Sequence, residues 1–483
     1  VLREDRQSLL RRLTCLNVTH SIVIHPFISN GGRERRSVLL PMRKERRSMA
    51  YATTYPYTGE TLKTFPAASD AEVARAIDAS HAAFLAWRET SYAARGAILQ
   101  KAADLLRKDA DDYAKLLTLE MGKLFAEAKA EVELSAKIFE YYVQNAERLL
   151  RPEELTVADP VEGEAVIVCE PLGVLLAIEP WNFPYYQIAR IIAPQLSAGN
   201  TMLLKHASNV PQSAAAFERL MREAGLPEGA FINLYATRSQ VEAIINDPRV
   251  HGVALTGSED AGAIVAAQAG KALKKSTMEL GGADAFVVLA DADMAKTTKW
   301  AVFGRHWNGG QVCVSSKRMI IVDAVYDEFL ARYREGVAVL KAGDPFAPET
   351  TLAPLSSQAA ADEIKEKIRQ AVAHGAKAEQ VGPPVPNQGA FVQPTILTDI
   401  GEDNPARYWE FFGPVSMLFA PRTRTMPCAS PTILPSASAA RCSPPTPSAA
   451  SRSPEKSRPA WCSSTIRPRS RRICPSAAFA APA

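Results

Sequence analysis

An α/β fold with two sheet-centred domains is predicted by three features of the chain. Short apolar runs bounded by turn residues recur from residue 173 onward, amphipathic helical patterns separate them, and a second alternation of the same kind begins at residue 285. Apolar runs that alternate with helices build a largely parallel sheet, and ligands gather at the C-terminal ends of its strands.

Residues 69–150 come first and read as long helices, because Val73, Ile77, Phe84, Leu85, Ile98, Leu99, Leu105, Leu106, Leu116 and Leu117 recur at helical spacing. Two-faced helices of this kind pack on a neighbour and carry no chemistry. Buried strands are expected at 173–178, 201–204, 231–234 and 252–255, with helices over 213–223 and 240–245 between them. The second domain starts with strands at 285–289 and 317–322 and continues through helices over 325–340 and 359–373.

Charge divides the chain into three zones. Residues 1–48 carry 11 Lys/Arg against 4 Asp/Glu, residues 421–483 carry 10 against 1, and the body between them carries 35 against 47. The body is therefore acidic although the whole chain has a pI near 8.6. The basic charge sits in two irregular ends without a nucleic-acid-binding motif, so nucleic acid is set aside as a partner. Four of the seven cysteines lie in the basic tail and Cys15 in the N-terminal zone, which leaves Cys169 and Cys313 in the body and no disulfide framework. A reducing cytoplasm is the expected setting. Apolar runs such as 173–178 fall far short of the roughly 20 residues of a membrane span, so no membrane partner is expected.

Both ends look foreign to the body. Arg43, Lys44, Glu45, Arg46 and Arg47 can be written in purine codons just ahead of Met49, as a ribosome-binding site would be, and the native start is expected at Met49. An Arg-rich organellar presequence is the rival reading. Residues 421–483 hold 12 Pro, 12 Ser and no Gly, a composition that cannot bury enough apolar surface to offset its ordering entropy. A disordered tail is expected from residue 420. The code offers a further reading, since a frame one base earlier turns 473–482 into D-L-P-F-G-G-I-R-R-S and 433–443 into D-S-P-F-G-L-G-G-S-V-F. A frameshift near Ala420 is inferred.

Several body motifs carry chemistry. The first strand runs into Glu179, Pro180, Trp181, Asn182, Phe183 and Pro184, a rigid loop in which the Asn182 amide can donate from a fixed position, although such a loop is by itself more often a structural turn. Lys205 ends the second strand, where a nucleotide's ribose or phosphate would lie, and a strand-end lysine is otherwise simply solvated. After the fourth strand come Thr256, Gly257 and Ser258, with Gly262 at a helix start whose free amides suit a pyrophosphate; the bland reading makes Ser258 the helix cap. Glu279 precedes the Gly281–Gly282 turn and can act as a general base if it lies opposite a thiol. Cys313 follows Gly309 and Gly310; a buried cysteine is more often inert, but the glycines allow close backbone approach and its own amide can serve an oxyanion.

Taken together, Pro180 to Pro184, Lys205, Gly257 and Ser258, Glu279 to Gly282, Gly310 to Cys313, and Glu410, Phe411, Phe412, Gly413 and Pro414 resemble the NAD(P)-dependent aldehyde dehydrogenases in order and spacing. The resemblance covers residues 49 to about 419, and the two shifted-frame strings resemble later motifs of the same family. It implies a Rossmann-type cofactor domain, 49–280 with its N-terminal helices, and an α/β catalytic domain, 281–419, left incomplete by the tail. It further implies that Cys313 attacks an aldehyde, that the Asn182 amide and the Cys313 N–H hold the oxyanion, and that Glu279 activates the water that hydrolyses the thioester. Lys205 and Glu410 would hold ribose hydroxyls, Phe412 would pack by the nicotinamide ribose, and Trp181, Gly257 and Ser258 would line the adenosine diphosphate path. No metal is required.

Cofactor and substrate choice rest on particular positions. NAD-preferring members often place Glu three residues after the lysine; here Ser208 stands there and removes repulsion toward a 2′-phosphate, so either NAD or NADP is expected and NADP fits. Overall the chain looks closest to the succinate-semialdehyde dehydrogenases. Arg190 matches a position that reads a substrate carboxylate, or it is a structural ion pair; the second arginine of some such enzymes is replaced by Trp307. The family forms homo-oligomers partly through a C-terminal strand, which the altered tail puts in doubt here. A catalytically impaired product is the alternative reading, and an interaction role for the basic tail is a third, for which no motif stands.

Overall fold

The computed structural model describes residues 51–156 and 163–420, together with the backbone of Ala440–Cys442. The expectations for residues 1–48 and for nearly all of 420–483 lie outside these described residues.

A hairpin of β1 (Tyr51–Thr54) and β2 (Thr61–Phe65) precedes four helices, α1 (Asp70–Trp87), α2 (Tyr92–Lys108), α3 (Ala110–Met121) and α4 (Phe125–Leu150). A second antiparallel pair, β3 (Glu153–Leu155) and β4 (Ala165–Ile167), follows. The chain then runs β5 (Val174–Glu179), α5 (Pro184–Ala198), β6 (Thr201–His206), α6 (Pro211–Glu223), β7 (Phe231–Asn233), α7 (Arg238–Asn246), β8 (Val250–Gly257), α8 (Glu259–Lys271) and β9 (Lys275–Leu280). These strands form one parallel sheet in the order β7-β6-β5-β8-β9. From β5 the chain winds to one side through β6 and β7 and then returns to the other through β8 and β9. The strand order thus reverses between β5 and β8, where an open parallel sheet leaves a crevice at its C-terminal edge.

Side-chain alternation explains why helices cover both faces. Leu175, Ala177, Met202 and Leu204 enter a core with α2, α4, α5 and α6, whereas Val174, Leu176 and Leu203 point the other way, toward α1, α7 and α8. Truncating a buried leucine of this kind to alanine costs ~2–5 kcal/mol.

Helices α5 and α6 begin with proline and lack a side-chain cap of their own. Their orphan N–H groups are satisfied from afar. Glu131 of α4 accepts from the Tyr185 and Tyr186 amides at 2.9 and 3.1 Å, and Glu120 of α3 accepts from the Gln212 and Ser213 amides, both at 2.8 Å. A carboxylate there meets both the free donors and the positive end of the helix dipole.

The second sheet contains β10 (Asp284–Val288), β11 (Ser316–Ile321), β12 (Lys377–Gln380), β13 (Thr395–Thr398), β14 (Val415–Phe419) and β15 (Ala440–Cys442), with α9 (Met294–His306), α10 (Asp323–Ala338) and α11 (Gln358–Ala373). Its order is β12-β13-β14-β11-β10-β15, parallel except for β12. The α/β expectation therefore holds for both sheets. One difference concerns β15, which pairs with β10 in a stretch where the sequence predicts no regular structure. A free sheet edge recruits a strand through main-chain bonds that are indifferent to side-chain pattern.

Candidate active site

The turn that carries Cys313 is built from backbone that only certain residues adopt. After α9 the chain reverses at Trp307–Gly310, with Asn308, Gly309 and Gly310 at φ 54°, 63° and 78°. A side chain at Gly310 would run into the Gly413 carbonyl, so glycine is required there on both counts. Arg305 locks this turn to the segment before β14. Its fully buried guanidinium donates to the Phe411 and Val415 carbonyls at 2.6 and 2.7 Å, the Ser315 hydroxyl at 2.7 Å, the Gly310 carbonyl at 3.3 Å, and the Gly413 carbonyl. Burial lowers its pKa to about 10.

Asn182 reaches the same turn from the end of β5. Its Nδ2 donates to the Gln311 carbonyl at 3.1 Å, two residues before the cysteine, and leaves a second amide hydrogen. The Asn182 carbonyl accepts from Lys123 Nζ at 3.0 Å and Asn308 Nδ2 at 2.9 Å. Lys123 is wholly buried and paired with Glu131, and Glu127 accepts from the Asn308 amide at 3.2 Å. Asn182 and the cysteine turn thus hang on one charged cluster. Burial raises the Cys313 thiol pKa; Lys317, Arg190 and the Val314 amide oppose that, and Glu410 adds to it.

A row of polar residues crosses the C-terminal edge of the first sheet. Thr256 pairs with Glu279 between β8 and β9, and Glu179 stands at the same level on β5, because Ile178 pairs with Leu255. Glu279 thus belongs to a strand, where the sequence reading placed it in the approach to a turn. Arg190, on α5, bridges this row, with Nη2 donating to the Thr256 hydroxyl at 2.7 Å and Nη1 lying 3.7 Å from Glu279. Burial raises the Glu279 pKa and Arg190 lowers it. Burial likewise lifts the carboxyl of Glu179 to about 8, with Arg190 and Thr256 opposing. Both assigned roles of Arg190, ion pair and carboxylate reader, start from this engaged position.

The expected cofactor residues fall along the crevice and across from it. Lys205 is the penultimate residue of β6, its Nζ donating to the His206 carbonyl at 3.1 Å, and burial and Arg238 lower its pKa to about 8. Ser208 follows, its carbonyl accepting from the Ala52 amide at 3.0 Å. Gly257 closes β8, and Ser258 caps α8 by accepting from the Ala261 amide. From the second sheet, Phe412 meets Trp181 edge to face at 5.6 Å, and Glu410 pairs with Lys317 at 2.8 Å. A side chain at Gly281 would strike the Glu410 carboxylate, which therefore lies directly on the turn after Glu279. Trp307 packs on Phe183 and stacks on Phe303, with ring centroids 5.0 and 6.0 Å away. Among the described residues no group of three His, Cys, Asp or Glu is placed to hold a metal ion.

A profile of the aldehyde dehydrogenase family matches residues 43–424. The chain belongs to the aldehyde dehydrogenase family. A succinate-semialdehyde dehydrogenase [NADP(+)] of Deinococcus radiodurans is 45% identical over 382 residues, covering 79% of this chain and 80% of that protein. A relative of the same description from Mycobacterium avium is 45% identical over 372 residues, 77% of this chain and 79% of its own. Among solved structures, succinic semialdehyde dehydrogenase from Streptococcus pyogenes in complex with NADP+ superposes with a TM-score of 0.79 at 43% identity, covering 81% of this chain and 86% of that one. Succinate-semialdehyde dehydrogenase from Burkholderia pseudomallei gives a TM-score of 0.80 at 34% identity, with 84% of each chain covered.

Within this aldehyde dehydrogenase, several residues at the site escape sequence reasoning. Lys123, Glu127, Glu131, Arg238, Arg305 and Lys317 sit in ordinary helices, strands or the short link between two helices, and nothing local marks them. For Lys123, Arg305 and Lys317 the missing signal is burial, since a lysine or arginine goes wholly inside only where it is paired.

Proposed function

We propose that this chain oxidises succinate semialdehyde, or a similar short semialdehyde, to the carboxylic acid with NADP+, using residues 49–280 chiefly for the cofactor and 281–419 chiefly for the chemistry. The observation that carries this reading is the docking of the Asn182 amide against the Cys313 turn. The Cys313 thiolate adds to the aldehyde carbonyl, and the resulting alkoxide accepts from the second Asn182 amide hydrogen and the cysteine's own N–H. Bound in the crevice, the nicotinamide supplies a hydride acceptor. Glu279 then takes a proton from water, which attacks the thioester and releases acid and thiolate. Its burial favours this task by raising its affinity for that proton.

The residues present fit a phosphorylated dinucleotide. Burial and then the repulsion of the neighbouring Arg238 depress the Lys205 pKa, and Ser208 adds no negative charge. Two basic side chains and no acidic one at position 208 suit a 2′-phosphate, and the fit agrees with the NADP named for the relatives above. Trp181, Gly257 and Ser258 would line the diphosphate path, and Glu410 and Phe412 the nicotinamide ribose. For the substrate, Arg190 brings positive charge beside Cys313 and Trp307 an aromatic wall in place of a second cation.

The test is aldehyde-dependent reduction of NADP+ and NAD+ by the purified chain with succinate semialdehyde and with butanal. The expected result is preference for NADP+ and for the charged aldehyde, the latter preference lost in Arg190→Met. Strict NAD+ use, or equal kcat/KM for the two aldehydes, refutes the corresponding part.

A further inference from the structure

Lys317 is unused in the mechanism above and yet touches its centre. It is the second residue of β11, four after the cysteine, and its side chain folds back so that Nζ donates to the Cys313 carbonyl at 2.5 Å. The same ammonium lies 2.8 Å from Glu410 Oε1 and is wholly buried. Burying an ammonium is costly unless partners compensate it, so a lysine kept here invites a functional account.

We propose that Lys317 is a positioning residue for Cys313: it fixes the backbone of the nucleophile and lends the thiolate a neighbouring positive charge, which Glu410 restrains. The inference rests on the reading of Cys313 as the nucleophile.

Charges around the cysteine are few. Lys317 from β11 and Arg190 from α5 favour the thiolate, Glu410 disfavours it, and the Tyr186 phenol interacts with it from α5. Of the two cations Lys317 acts more strongly, and Arg190 is engaged by Thr256 and Glu279. Lys317 itself faces Glu410, Arg305 and Asp284. Removing Lys317 therefore leaves Cys313 with Arg190 and a nearby carboxylate, whereas neutralising Glu410 leaves the Lys317 charge less compensated. These two changes push the thiol in opposite directions, and part of the second acts through Lys317, the rest directly on Cys313.

The experiment follows alkylation of Cys313 by iodoacetamide across pH in the full chain, with the Cys313 peptide quantified by mass spectrometry so that other cysteines do not contribute. Lys317→Met is expected to slow alkylation at pH 8 about tenfold and to move the profile upward, Lys317→Arg to stay near the parent, and Glu410→Gln to move it downward. In the double variant the Glu410→Gln effect shrinks to its direct part. An unchanged profile in a folded Lys317→Met, or a Glu410→Gln shift of equal size with and without Lys317, overturns the proposal. If Lys317→Met fails to fold by circular dichroism, Lys317→Gln takes its place: a slower, upward-moved profile supports the proposal and an unchanged one overturns it. Alkylation needs no aldehyde, so a chain that shows these shifts but no aldehyde turnover refutes the proposed function and leaves this inference standing.

Discussion

Replacing Glu131 by glutamine strands a charge inside the protein. The Lys123 ammonium is wholly buried and paired with Glu131, and removing one member of such a pair costs ~3–5 kcal/mol, because the remaining charge has lost its compensation. Glu127 softens the loss. Burial holds its carboxyl at about 7, and an unneutralised Lys123 beside it would draw it into ionisation, which places the expected cost near ~3 kcal/mol. Glutamine keeps an oxygen for the Tyr185 and Tyr186 amides, so Glu131→Gln isolates the charge. Glu131→Ala abandons those two donors as well and costs a further ~1–3 kcal/mol for each. Adding Lys123→Met to Glu131→Gln removes both charges and should recover most of the stability, while the Asn182 carbonyl keeps its bond from Asn308. Urea unfolding followed by tryptophan fluorescence measures these differences as shifts in midpoint. A Glu131→Gln protein within about 1 kcal/mol of the parent, or a double variant as unstable as the sum of the singles, refutes the reasoning.

Glu279→Gln should lower steady-state turnover ~10²–10⁴-fold while leaving a first-turnover burst of NADPH, because hydride departs before the base is needed; stopped-flow absorbance that shows both lost equally would contradict this order. Burial and Arg238 hold Lys205 at about 8 in the cofactor-free protein, so it sheds its proton as pH rises through that value, and NADP+ affinity should weaken above it. Lys205→Arg should keep its affinity across the same range, and a flat binding profile for the parent chain would rule the site assignment out. Resequencing the gene across codon 420 should reveal a missing or extra base, whereas an uninterrupted frame there disposes of the frameshift.

The two sheets were legible because burial on both faces leaves continuous apolar runs, as at 174–178 and 201–204, and intervening helices show their own period. Cys313, Glu279 and Asn182 stood out through unusual local company: a glycine pair just before the cysteine and just after the glutamate, or prolines around an aromatic pair. The Lys123 cluster and Arg305 had no such company. Glu131 reaches Tyr185 across 54 residues, Glu120 reaches Ser213 across 93, and Arg305 reaches Phe411 across 106. No periodicity or motif encodes a partner at those separations.

The sequence by itself determined the α/β class, the order of strands and helices along the body, and a set of residues able to carry out thiol chemistry. Only the tertiary structure decided what each of them faces. Strand order places Glu179, Thr256 and Glu279 on one row for Arg190 to bridge, and the meeting of two sheets puts Glu410 on Gly281 and against Lys317. Local backbone preferences are written residue by residue, whereas the charge that a buried thiol experiences is a sum over groups brought within a few ångströms by the fold.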